Sequence, residues 1–157
     1  MEYEDYDILP QEEVALIQMH RAILIYLEGE DYISPITLAG AAEEIYAQML
    51  KEDGKQSVYD EIKESSRKSQ KELDWEASSN KEFNFMMNQT RNILKHRSAD
   101  GHVGASFRME SMKMIHRAIK SYMKLYDKNT DLIKKYLEHE PYGGLTMIPI
   151  ADSRLSK

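Results

Sequence analysis

The stretch "PQEEVALIQMHRAILIYLEGEDYISPITLAGAAEEIYAQMLKEDG", Pro10 to Gly54, decides the fold class. It opens with Pro10 near the first helical position, and Gly29 stops the first segment. Val14, Ile17, Ala22 and Ile25 recur at helical rather than strand spacing. They cover more than one face, so the helix is expected to be well buried. Ser34 and Pro35 then read as N-cap and first helical residue of a second helix, which ends at Asp53 and Gly54. Only the short turn "EGEDYIS" separates the two, so they are expected to pack as an antiparallel hairpin.

Helical periodicity continues down the chain. "SVYDEIKESSRKSQKELDW" (57–75) is polar and weakly amphipathic, with Val58, Ile62, Leu73 and Trp75 as sparse anchors, and has the composition of an exposed or mobile helix. A fourth helix starts near Asn80, with Phe83, Met86 or Met87, Ile93 and Leu94 as its apolar face, and breaks at "RSADGH". A long fifth helix is predicted from about Ala105 to Asp127, and a short sixth over "DLIKKYLEH". The expectation is an all-α, up-and-down bundle of five to six helices over residues 11–140. An acidic arm (1–10) precedes it and an irregular or strand-like tail (141–157) follows. The arm could cover a basic groove. Leu145, Met147, Ile148 and Ile150 of the tail could dock on the body or on a partner.

Composition narrows the function classes. The chain has 157 residues, 41% of them hydrophobic and 31% charged, which suits one soluble domain. No apolar run is long enough to span a membrane. The acidic N-terminus lacks the basic and apolar regions of a secretory signal, so a cytoplasmic location is expected. Without cysteine there is no disulfide framework and no thiolate metal site; the histidines have no zinc-like spacing, so neither metal nor cofactor is expected. There is no P-loop, dinucleotide fingerprint or nucleophile elbow. The net charge of −6 argues against non-specific coating of nucleic acid, and no DNA partner is expected. Yet the charge is uneven. Residues 1–13 hold six acids and no Lys or Arg, whereas 88–120 is basic by about five charges, which leaves room for one focused anion site.

Two features carry candidate chemistry. In "LAGAAEE" the small residues Ala39, Gly40, Ala41 and Ala42 strip bulk from helix two. A mid-helix glycine costs up to about 1 kcal/mol against alanine, usually offset by close helix–helix approach. Glu43 and Glu44 follow, and at about 100° per residue only one of them can face a given neighbour. Either both are solvated acids beside a close-packed crossing, or one reaches inward to orient a basic residue such as Arg91. The second feature is "NQTRNILKHR", which sets Arg91 and His96 five positions apart with Asn92, Lys95 and Arg97 beside them. Histidine can serve as general base on a ribose 2′-hydroxyl or as general acid on the leaving 5′-oxygen. Arginine can hold the phosphate oxygens where charge develops. Asn92 could orient the ribose or phosphate, and Lys95 and Arg97 could steer the strand. Arg97 and His102 have the same spacing, but a turn signal lies between them.

Arg91-Asn92-Ile93-Leu94-Lys95-His96 resembles the Arg-x4–6-His motif of the HEPN superfamily, in which a polar residue often follows the arginine. The upstream hairpin with its small-residue, acid-ended second helix is similar too, and the resemblance covers roughly residues 11–127. It implies an all-α bundle that often dimerises with two motifs facing one cleft. Many members are metal-independent endoribonucleases of toxin–antitoxin or other defence systems; others are inactive binding modules. On the first reading His96 is the acid–base group, Arg91 the phosphate-stabilising group, Asn92 a supporting group, Lys95 and Arg97 substrate-binding residues, and Glu43 or Glu44 sits behind Arg91. The partners would be a second copy, RNA and an antitoxin-like protein. On the second, the chain is an inactive dimerisation and protein-interaction module, with Arg91 in a structural ion pair. Elsewhere the simpler reading holds. His20 and His116 are core-edge or surface residues. Tyr122, Tyr126 and Tyr136 are core with the hydroxyl at the rim. Met109, Met112 and Met114 fill gaps in the bundle or in a dimer interface.

Overall fold

A computed structural model describes residues 7–141. Six helices follow one another: α1 (Gln11–Glu28), α2 (Ser34–Glu52), α3 (Val58–Glu72), α4 (Asn80–Lys95), α5 (Phe107–Tyr126) and α6 (Asp131–His139). No strand occurs among the described residues, so the protein is an all-α bundle. The readings of residues 1–6 and of the tail from 142 onward lie outside the described residues.

The α1–α2 hairpin forms as its termini predict. Gly29 takes the left-handed conformation, φ 78°, which closes α1, and its N–H donates to the Tyr26 carbonyl. α2 begins one residue earlier than expected, at Ser34, with Pro35 in its first turn. The capping oxygen comes from Asp31, whose carboxylate accepts from the N–H groups of Ile33 and Ser34 at 2.8 and 3.0 Å. α5 packs against both helices of the hairpin, and α6 lies on α1.

The main core is the set of inward residues of these four helices. Ala15, Met19, Ala22, Ile23 and Tyr26 of α1 meet Ala39, Ala42 and Tyr46 of α2, Ile115, Ala118, Ile119 and Tyr122 of α5, and Ile133 and Tyr136 of α6. Each fully buried large apolar side chain contributes about 1.5–3 kcal/mol. The tyrosines pack edge to face, Tyr26 on Tyr136 at 5.4 Å between centroids and Tyr46 on Tyr122 at 5.9 Å. Ile17 departs from expectation: it is 54% exposed, since α1 buries one broad face and not its whole circumference. Met112 and Met114 are buried as expected, whereas Met109 stays partly exposed near the start of α5.

α3 and α4 build a smaller core beside the first, in which Val58 and Ile62 pack with Phe83, flanked by Tyr59, Met86 and Met87. α3 is more ordered than its composition suggests. Ser57 caps it by accepting from the Asp60 N–H, and it buries the stripe Val58, Ile62, Ser66 and Gln70 at four-residue spacing. Polar residues thus complete an inward face that apolar counting under-reads. Leu73 is no anchor; it is 54% exposed past the helix end. α4 opens with a reciprocal capping box between Ser79 and Glu82.

Candidate functional site

Adjacent acids on α2 serve two different helices. Glu43 is buried and turns toward α5, where Arg117 Nη2 donates to its Oε2 at 3.1 Å. Both side chains are 4% exposed. Arg117 also reaches the Met87 carbonyl, at 3.4 Å, and its guanidinium sits 5.4 Å from the centre of the Tyr59 ring. That gives a buried cation a carboxylate, a carbonyl and a π face. One residue further along, Glu44 faces α4 and accepts from Arg91 Nη1 at 2.5 Å.

The route of the Arg91 side chain explains Gly40. A Cβ placed on Gly40 would lie 2.6 Å from Arg91 Nε and 2.9 Å from its Cδ. The arginine stem therefore crosses α2 on the bare backbone of Gly40, and its head meets Glu44 one turn later. The expected close helix–helix approach is replaced at Gly40 by a side chain: the Arg91 stem, not a second backbone, fills the space the glycine leaves. The Arg91 hydrogen bond holds the Glu44 carboxyl below the usual carboxylate range, helped by the charges of Arg91, Lys95 and Arg117 against the opposing effect of burial.

These pairs sit in the floor and wall of an open cleft of about 490 Å³ between α2, α3 and α4. Glu43, Glu44 and Lys51 line it from α2, Tyr59, Asp60 and Lys63 from α3, and Asn84, Phe85, Asn88, Arg91 and Asn92 from α4. Tyr59 donates its hydroxyl hydrogen bond to Asn84 Oδ1 across the cleft. Lys63 pairs with Asp60 at 3.2 Å. Burial pushes the Asp60 carboxyl up, but hydrogen bonds from Ser57 and Lys63 and the Lys63 charge outweigh it and leave it lowered.

Of the residues singled out by sequence, Arg91, Asn92, Glu43 and Glu44 share this cleft. His96, Lys95 and Arg97 do not line it. His96 is the C-cap of α4, with φ −127° and ψ 141°, so the chain leaves the helix extended there and the imidazole is exposed. Lys95 and Arg97 are exposed on either side of it. Arg91, by contrast, is 7% exposed. Within one chain the two halves of the motif thus differ sharply in environment.

Arg117 went unrecognised as a site residue in the sequence. The signal was its position inside the apolar face of α5, between Met114 and Ala118, where an unpaired arginine would be costly. Of the other histidines, His20 Nε2 lies 3.0 Å from Thr130 Oγ1 and is half-buried. His116 is buried with Nδ1 3.0 Å from the Met112 carbonyl. Among the described residues no three His, Asp or Glu side chains converge to hold a metal, and no helix is long and apolar enough to cross a membrane. No family model, curated protein or solved structure matches this chain.

Proposed function

We propose that this chain is a HEPN-like, non-catalytic interaction module that acts as a homodimer and binds a protein partner through its helical bundle, with Arg91 as a structural residue. The observation that carries this reading is the Arg91–Glu44 pair at 2.5 Å within one chain, on an arginine only 7% exposed. An arginine so held has its charge matched by a carboxylate and its stem seated on Gly40. To grip a phosphate through the same Nη1 it would have to give up Glu44. The test is RNA cleavage in EDTA. Wild type and His96→Ala are expected to show the same background; cleavage that leaves cyclic phosphate ends and disappears in His96→Ala overturns the reading.

One observation favours a second reading, a metal-independent endoribonuclease of a toxin–antitoxin or defence type. His96 is exposed where the chain leaves α4, between the exposed cations Lys95 and Arg97. There it could meet an RNA strand or the His96 of a second copy. The same cleavage assay, run with Arg91→Ala beside His96→Ala, decides between the two.

A further inference from the structure

α4 presents a row of amides to the cleft. Asn84, Asn88 and Asn92 all line it, four residues apart. Four residues along an α-helix rise about 6 Å, so the row is about 12 Å long. An extended peptide repeats every two residues, about 6.6–6.8 Å. Each side-chain amide offers a donor and an acceptor, which is what a peptide backbone needs at each repeat. Tyr59 occupies the Asn84 oxygen; Asn88 and Asn92 have no hydrogen-bond partner among the described residues. Beside the row stands Phe85, 61% exposed, an apolar contact facing solvent.

Charge selects the class of ligand. Arg91, Arg117 and Lys63 are matched within the cleft by Glu44, Glu43 and Asp60. Those three carboxylates oppose a phosphate backbone, which carries a charge at every nucleotide, far more than a peptide with a single carboxylate. Lys51 is the fourth lining cation; its charge helps to lower the Asp60 carboxyl, but it makes no salt bridge of its own among the described residues, so the lining carries four cations against three carboxylates. From the amide row, the apolar contact and the one cation in excess, we infer that the α2–α3–α4 cleft is a docking site for an extended peptide segment, read by Asn88 and Asn92 on its backbone, by Phe85 on an apolar side chain and by Lys51 on a carboxylate. The inference rests on the interaction-module reading and locates its partner site.

The probes are synthetic peptides of about six residues, each with one Leu and one Asp at varied separation, and matched peptides with Lys in place of Asp. They are titrated into the full chain while the Asn side-chain amide signals are followed by NMR. The Asn88 and Asn92 signals are expected to move with the Asp peptides. Asn88→Ala is expected to weaken binding about five- to tenfold without changing the helical circular dichroism. Lys51→Glu is expected to reverse the preference toward the Lys peptides. Unmoved amide signals across the panel, an Asn88→Ala variant that binds as wild type, or a short single-stranded RNA that moves those signals where peptides do not would each overturn the inference. Absence of peptide binding with no metal-free RNA cleavage removes this docking site alone. His96-dependent cleavage removes the module reading itself.

Discussion

The Arg91 guanidinium is held by Glu44 one helical turn beyond Gly40, the residue its stem crosses. Position and pairing are therefore coupled: the glycine makes the track and the glutamate ends it. Gly40→Ala is expected to destabilise the wild type by about 1–2 kcal/mol, because crowding of a buried side chain outweighs the gain in helix propensity. In an Arg91→Ala background the same substitution is expected to stabilise, by about 0.5–1 kcal/mol. Urea unfolding of the four proteins in this cycle measures the coupling, and additive effects would contradict the packing described.

The Glu43–Arg117 pair lies deeper, so removal of one partner should hurt more than removal of both. Glu43→Ala strands a buried guanidinium and is expected to cost about 3–5 kcal/mol. The double replacement Glu43→Leu with Arg117→Met is expected to recover most of that loss. Equilibrium denaturation reads both values. Glu44→Gln, at a side chain 63% exposed, should cost well under half as much as Glu43→Ala because solvent screens the charge.

His96→Ala is expected to leave stability within about 0.5 kcal/mol of wild type, since the imidazole is exposed at a helix end. Thermal unfolding checks this. The result matters for the cleavage assay, because a loss of activity in this variant then reports chemistry and not unfolding.

Burial lowers His116 and His20 below the ordinary histidine value, because desolvation disfavours the imidazolium in both. The sign of the consequence is fixed. The unfolded chain takes up a proton near pH 6.5 and the folded chain only at lower pH. Their contribution to stability is complete above about 6.5 and declines as pH falls below it toward the lowered folded values. The melting temperature is expected to drop between about pH 7.5 and pH 5, and His116→Gln to flatten that slope. An unchanged slope in His116→Gln would assign the pH dependence to other groups.

Helix positions and the hairpin were legible in the sequence because they depend on local periodicity, capping and turn residues; the inward face of α1 was not, since of Val14, Ile17, Ala22 and Ile25 only Ala22 lies in the core. Gly29, Pro35 and the capped start of α4 act within a few residues of themselves. The two faces of Glu43 and Glu44 were legible for the same reason, since a helix must point neighbours about 100° apart. Of their partners, Arg91 was legible only as a choice between the two acids, and Arg117 not at all. Arg91 and Arg117 are far from α2 in sequence, and which arginine meets which glutamate depends on the axial position at which α4 and α5 cross it. The motif spacing that joined Arg91 to His96 was equally blind to the helix end between them. Backbone geometry at His96 turns one residue outward, while packing on Gly40 draws the other in. Periodicity and capping settle where a helix runs; only the packing of several helices decides which face turns inward and what it meets.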